Sequence, residues 1–343
     1  MNKAIGFQLE EAVRSHFSKN SEGFKSIGGG FSGTPIVRFS ADSELWAARG
    51  WPCSEESRNK IDNWARVAFY FEQHATELSP WFNGSPIPRP VHWNGSLFGS
   101  PLTWQVGDQL WTLTKWVPGE TLNSENVTYD LLLNYVKQLA CLHRLTRGMQ
   151  FSRSLSQGLI ERRDHLVSMQ RDLSEIAPMC SRHPLKDDLS LFFVECTDRI
   201  KIWSSVIDRL ANRPCESHWI LRDLWRDNLL VDAHNRWIYT VDVGASRWDW
   251  PAFDLVRLVG SLLEPRVRQG VQSPWDNLLD AYNAINPYSD LPSPHDLQML
   301  HEVSTAISIL YWIKKWNERN VAPESEAARL ERMRELLKIF LAK

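Results

Sequence analysis

The sequence predicts an α+β chain in two lobes: a small antiparallel-sheet lobe over residues 1–116 and a larger, mainly helical lobe over 117–343. Three patterns carry that expectation. Short apolar runs broken by glycine-rich or polar turns fill the first third of the chain. Apolar stripes at helical spacing dominate from Tyr129 onward, and one hairpin pattern interrupts them between Leu229 and Val241. A chain of 343 residues can bury a large core.

Taken in order, Ile5, Leu9, Val13 and Phe17 recur every fourth residue, which predicts an amphipathic helix over 5–19. Phe24 to Ile27 and Ile36 to Phe39 read as strands flanking a turn that contains Gly28, Gly29, Gly30, Phe31, Ser32 and Gly33. Such a turn has glycines enough to bring backbone N–H groups against a phosphate. Leu45 to Arg49 reads as a third strand, and a helix is expected within 61–76. A Pro-rich extended segment (86–93) precedes a hairpin of 102–106 and 110–114 with a Gly107-Asp108 turn. Leu131, Tyr135, Leu139, Leu142 and Leu145 trace a buried helical stripe in which His143 reads as a packing residue. Helical patterns follow at 158–176, 189–212, 255–263, 295–317 and 324–342. The mixed charges of the first two, Glu161 and Arg162 among them, read as a solvated face.

Net charge is −2 with the two signs interspersed, so no basic footprint argues for nucleic acid. Five cysteines without a C-x-x-C pair exclude a zinc ribbon and fit reduced, cytoplasmic thiols. No apolar run reaches membrane-spanning length, and the N-terminus lacks a signal-peptide pattern. These features lead us to expect an intracellular protein with neither membrane nor nucleic-acid partner.

The chemistry concentrates between His218 and Leu255. Asp223 and Asn228 precede the strand Leu229-Leu230-Val231. A polar turn at 232–235 follows, and the return strand from Trp237 ends on Asp242-Val243-Gly244. A hairpin brings its ends together, so two carboxylates and an amide oxygen can share one small volume. That is a hard-oxygen donor set suited to Mg²⁺, which takes few protein ligands plus phosphate oxygens. The spacing matches the R-D-x-x-x-x-N and D-x-G pattern of phosphoryl transfer.

On these residues the chain resembles the aminoglycoside phosphotransferase and choline kinase-like superfamily, whose fold is protein-kinase-like. LRDLWRDNLLV is similar to the family's H-G-D-x-x-x-x-N, VDVG to its metal-binding element, and WPAFDL to its D-P-x-x-D-L, in which Asp254 would brace the catalytic loop. Leu221 stands where the family has His, Arg222 where it has Gly, and Trp225 where protein kinases have Lys. The resemblance implies a small-molecule kinase that moves the γ-phosphoryl group of ATP to a substrate hydroxyl. In that reading Asp223 is the catalytic carboxylate, and Asn228 and Asp242 are the ligands of Mg²⁺. Gly28 to Gly33 would cover the phosphates, and Arg49 would clamp them, with Asp62 or Glu72 as the acid paired to it. Thr114, Lys115, Trp116 and Val117 would form the adenine-binding hinge. Arg226 reads either as a further phosphate contact or as a surface residue beside Asp227. Trp248 and Trp250 fall where choline kinase-like relatives place aromatic residues, which implies an acceptor carrying an amine or quaternary ammonium; their other reading is core packing. A protein kinase is disfavoured by the short path from Gly244 to Asp254, and a nucleotide-binding pseudokinase is the alternative that Leu221 and Trp225 suggest.

Overall fold

The computed structural model describes residues 3–17, 21–27, 34–92, 102–264, 267, 269–316 and 323–342. The glycine turn from Gly28 to Gly33 therefore lies outside the described residues. The chain divides into two compact units, one of residues 1–122 with 227–246, the other of 123–226 with 247–343.

In the first unit, helix α1 (Lys3–His16) packs on a five-stranded sheet. The strands are β1 (Ser21–Ile27), β2 (Ile36–Ala41), β3 (Glu44–Pro52), β4 (Trp104–Val106) and β5 (Gln109–Lys115). Their order is β1-β2-β3-β5-β4, antiparallel throughout. Leu9, Val13 and Phe17 of the helical stripe meet Val37, Phe39, Trp46 and Trp111 in one buried cluster. Helix α2 (Glu55–Gln73) starts where Ser54 caps it: its hydroxyl accepts the Ser57 N–H at 3.1 Å, and Glu55 and Glu56 lie against the positive end of the helix dipole. A one-turn helix α3 (Ala75–Leu78) follows.

The hairpin of Leu229 to Thr240 belongs to this first unit. Strand β6 (Glu120–Thr121) pairs with β9 (Leu229–Val231), which pairs with β10 (Trp237–Thr240). Pairing with β6, and the Leu122 N–H bonded to the Leu229 carbonyl, tie the hairpin to the N-terminal segment. The compact division consequently falls after Leu122, beyond the 116/117 boundary expected from sequence. At the hairpin turn, Asp232 Oδ1 accepts the N–H groups of His234 and Arg236, while Asn235 takes a positive φ of 57°.

The second unit is mainly helical: α4 (Tyr129–Met149), α5 (Gln157–Ile176), α6 (Lys186–Ala211), α7 (Ala252–Leu262), α8 (Pro274–Asn283), α9 (Pro294–Trp316) and α10 (Pro323–Leu341). Thr128 and Ser156 cap α4 and α5 through their hydroxyls. A small antiparallel sheet of β7 (Ser152–Ser154), β8 (Cys215–Ile220) and β11 (Arg247–Asp249), order β11-β8-β7, carries the chain into the catalytic stretch. Helix α8 and strands β6, β7 and β11 are additions to what periodicity suggested. All four are short, and their pairing or packing partners lie far away in sequence. The stripe residues Tyr135, Leu139 and Leu142 are buried as expected. No helix among the described residues is long and apolar enough to cross a membrane.

Candidate active site

Each unit presents part of the predicted constellation. In the first, β10 ends and the chain turns at Asp242, which adopts the left-handed conformation at φ 57°. Asp tolerates this backbone better than most residues. The turn aims the Asp242 carboxylate at Arg49 of β3, whose Nη2 donates to Oδ1 at 2.5 Å from a position 193 residues away. Arg49 lies 4.6 Å from the centre of the Trp51 ring, and Trp51 is itself held by a bond from Nε1 to Thr112 Oγ1 at 3.0 Å. Gly244 leaves room for this arrangement, since a Cβ there would fall 3.3 Å from both Arg49 Nη2 and the Trp51 ring. Asn228 sits at the foot of β9, and its carbonyl accepts the Val241 N–H at 2.9 Å. The hairpin thereby fixes Asn228 beside the residue preceding Asp242.

Arg49 therefore has a carboxylate partner, but neither acid suggested for α2 supplies it. Glu72 pairs with Arg89 at 3.0 Å, and Asp62 is exposed. Arg49 Nε is buried without a hydrogen-bond partner, so the guanidinium still has a donor to offer an incoming oxygen. Of the hinge residues, Thr114 is buried in β5, Lys115 pairs with Glu44 at 2.6 Å, and the Trp116 N–H is taken by the Leu45 carbonyl at 2.8 Å. Val117 follows the last strand pairing of β5.

The second unit carries Asp223. Its backbone is set by a tight turn in which the Asp223 N–H returns to the Leu221 carbonyl at 2.8 Å around Arg222, held at φ 64°. A γ-turn of this hand is strained for a residue with a side chain. Asp254, at the start of α7, compensates: it accepts the Leu221 N–H at 2.7 Å on Oδ2 and the Arg222 N–H at 2.5 Å on Oδ1. Asp254 is fully buried, and Oδ2 also meets His143 Nε2 at 3.1 Å, with His143 Nδ1 2.8 Å from the Tyr282 hydroxyl. His143 is thus more than filler in the α4 stripe; through Asp254 it is the second support of the turn that carries Asp223. The Asp223 carboxylate, about a third exposed, accepts from Arg257 Nη2 at 3.0 Å.

The expectation for Arg226 is corrected here, and for Trp250 one of the two readings is met. Arg226 is neither a phosphate contact nor a surface residue: it is largely buried and ion-paired with Glu264 at 3.2 Å and with Glu335. Trp250 is completely buried, donates to the Asp290 carbonyl and packs edge-on against Phe253, so it is core. Trp248 is half-buried on β11, opposite Trp219 of β8.

Residues that the sequence reading set aside also converge. Glu161 of α5 is gripped by both terminal nitrogens of Arg247, at 2.7 and 3.0 Å, and by Arg222 at 3.2 Å. Those guanidinium groups hold the Glu161 carboxyl below its usual range. One signal in the sequence could have revealed Arg257, because it is a single cation inside the apolar run AFDLVRLVGSL.

Asn228 and Asp242 offer an amide and a carboxylate oxygen, a donor set that fits Mg²⁺ when phosphate oxygens complete its shell. No group of three or more His, Cys, Asp or Glu suited to a metal occurs among the described residues.

The model of the phosphotransferase enzyme family matches residues 56–288. Similar solved structures include an aminoglycoside phosphotransferase from Alicyclobacillus acidocaldarius, at TM-score 0.59 and 16% identity over 97% of this chain and 94% of that one. A spectinomycin phosphotransferase in complex with ADP and spectinomycin aligns at TM-score 0.60 and 13% identity, over 98% and 97%. Amicoumacin kinase in complex with AMP-PNP and Ca²⁺ aligns at 0.58 and 11%, over 98% and 96%. At these identities the likeness is one of fold. No curated protein matches by sequence.

Proposed function

We propose that this chain, which belongs to the phosphotransferase enzyme family, moves the γ-phosphoryl group of ATP to a hydroxyl of a small molecule. Support comes above all from the Arg49–Asp242 pair, which sets a strand-borne cation against the carboxylate of the D-x-G element. Nucleotide and divalent ion in the amicoumacin kinase complex point the same way.

Phosphoryl transfer leaves little covalent chemistry to the protein, so catalysis is mostly positioning and charge stabilisation. Asp223 orients the acceptor hydroxyl and takes its proton as the O–P bond forms and the bond to the ADP oxygen breaks. Asn228 and Asp242 would hold Mg²⁺, which when bound offsets the negative charge of the phosphates. Arg49 clamps phosphate oxygens through its free Nε–H, exchanging part of its hold on Asp242. Asp254 keeps Asp223 in place by pinning the two peptides before it. The Gly28–Gly33 turn would cover the phosphates and exclude water, with adenine on the backbone of 114–117.

The test is ADP release with Mg-ATP against a panel of hydroxylated acids, sugars, amino alcohols and aminoglycosides. Acceptor-dependent ADP formation is expected. Nucleotide binding with no turnover across the whole panel would leave the pseudokinase reading in its place.

A further inference from the structure

The second unit holds a cavity of about 210 Å³ walled by α5, α7, α9 and the turn after β8. Three guanidinium groups line it, those of Arg162, Arg222 and Arg257, against one carboxylate, Glu161. Glu161 is already spoken for: Arg247, which is not part of the wall, holds both of its oxygens. Arg257 leads out of the cavity to Asp223.

Arg162 is the anomaly. Its Nε donates to Ser304 Oγ at 2.9 Å and its Nη1 to the Gly158 carbonyl at 3.0 Å, and its guanidinium lies 4.1 Å from the Phe253 ring centre. It makes no ion pair among the described residues, although every other cation in this wall does. Burial, with Arg222 nearby, pushes its pKa down to about 9, although Asp249 and Glu161 pull the other way. A buried cation whose direct hydrogen bonds all go to neutral oxygens is costly, and an anion in direct contact would complete the site. A second observation points the same way. Trp225, also in the wall, keeps its Nε1–H buried with no acceptor, and such a donor ordinarily finds a partner. The space suits a small molecule, being below the roughly 300–1,000 Å³ of sites for drug-sized ligands.

We propose that this cavity receives a carboxylate on the phosphoryl acceptor, held by Arg162, Arg222 and the Trp225 N–H, so that the acceptor is a small hydroxy acid. This inference rests on the phosphotransferase reading and fixes its substrate class. It reverses the amine expected from Trp248 and Trp250, because a cationic group would enter a wall that already has a surplus of its own charge. Arg257 joins the two halves of the acceptor's recognition, touching the cavity on one side and the base on the other.

The experiment is a calorimetric titration of the full chain, without nucleotide, using matched sets on one carbon frame. Glycerate, threonate and gluconate are the acids; glycerol, threitol and sorbitol are their uncharged counterparts; 3-amino-1,2-propanediol and glucamine are amine counterparts. At least one acid should bind tenfold or more tighter than its partners. Arg162→Gln should remove most of that preference. Trp225→Phe, which keeps the ring and removes only the donor, should weaken acid binding several-fold with the melting temperature unchanged, and it serves if Arg162→Gln fails to fold. Amines binding best, acids no better than polyols, or acid binding indifferent to the variants would overturn the proposal. Mg-ATP turnover on the same compounds separates the two readings. An acid that binds through Arg162 yet never yields ADP keeps the carboxylate site and removes the kinase. ADP formed only with amines keeps the kinase and removes the carboxylate site.

Discussion

Arg257 Nη2 rests 3.0 Å from Asp223 Oδ1, so the carboxylate at the head of the catalytic pattern stands paired with a cation from α7. That cation also lies 4.7 Å from the centre of the Trp225 ring, which limits where it can go. Asp223 is therefore held in one orientation from two sides, by Arg257 at its carboxylate and by Asp254 through the preceding backbone. Replacing it by Asn keeps the shape and removes the proton acceptor. Turnover should fall by about 10²–10⁴-fold, with Mg-ATP affinity nearly intact by calorimetry. Wild-type turnover would disprove the assignment.

Asp242 and Asn228 should differ in weight. Asp242→Ala removes the charged oxygen donor and leaves Arg49 without its carboxylate. The stabilisation that ATP confers in Mg²⁺ over ATP alone should then vanish from a thermal-shift titration. Asn228→Ala removes a neutral donor and should reduce it only in part. If both variants respond to Mg-ATP as the parent does, the hairpin is structural.

Gly158 opens α5 against Phe253, with an added Cβ only 2.4 Å from a Phe253 ring carbon and 2.8 Å from Asp249 Oδ2. Asp249 is buried and bonded to Ser156, Gly158, Trp250 and Arg247, so it has no room to yield. Gly158→Ala should cost about 1–3 kcal/mol by overpacking. Urea unfolding would read it, and an unchanged midpoint would mean the helix start is looser than described.

Acid should destabilise the fold through His218. Burial, with His143 beside it, pushes this imidazole down to about 3 from 6.5. Between those values the unfolded chain binds a proton that the folded chain does not. The contribution is intact above about pH 6.5 and is lost progressively as pH falls toward 3. From pH 7 to pH 5 it amounts to about 2 kcal/mol. The His218→Gln variant should show a flatter dependence of urea midpoint on pH over that range. Parallel curves for parent and variant would assign the acid sensitivity elsewhere.

The elements with strong local signals are readable in the sequence: the α1 stripe, the antiparallel hairpins and the turn before Asp223. The bracing role of Asp254 is legible because its motif is contiguous. Less was legible where partners come from afar. Glu161 and Arg162 look like ordinary surface charges until α7 and α9 close around them, since charge patterning along one helix says nothing of the neighbouring wall. Resemblance to a related fold points to an acid on α2 as the partner of Arg49; the partner lies on the hairpin instead, because the left-handed backbone at Asp242 is invisible in composition. In the sequence Arg222 stands out only as a departure from glycine. Its positive φ is one that glycine adopts freely, and its side chain lines the cavity wall.

The clamp at Asp254 has a consequence for local opening. Loop amides generally exchange with solvent quickly, because small fluctuations expose them. The N–H groups of Leu221 and Arg222 lie in a turn, yet both are bonded to a carboxylate that is itself buried and anchored through His143 to Tyr282. Freeing either hydrogen means parting α7 from α4 at their shared core. In deuterium exchange these two amides should therefore behave like helix-core positions, several orders of magnitude slower than the Asp232 turn. In Asp254→Asn they should speed up together, since one side chain protects both.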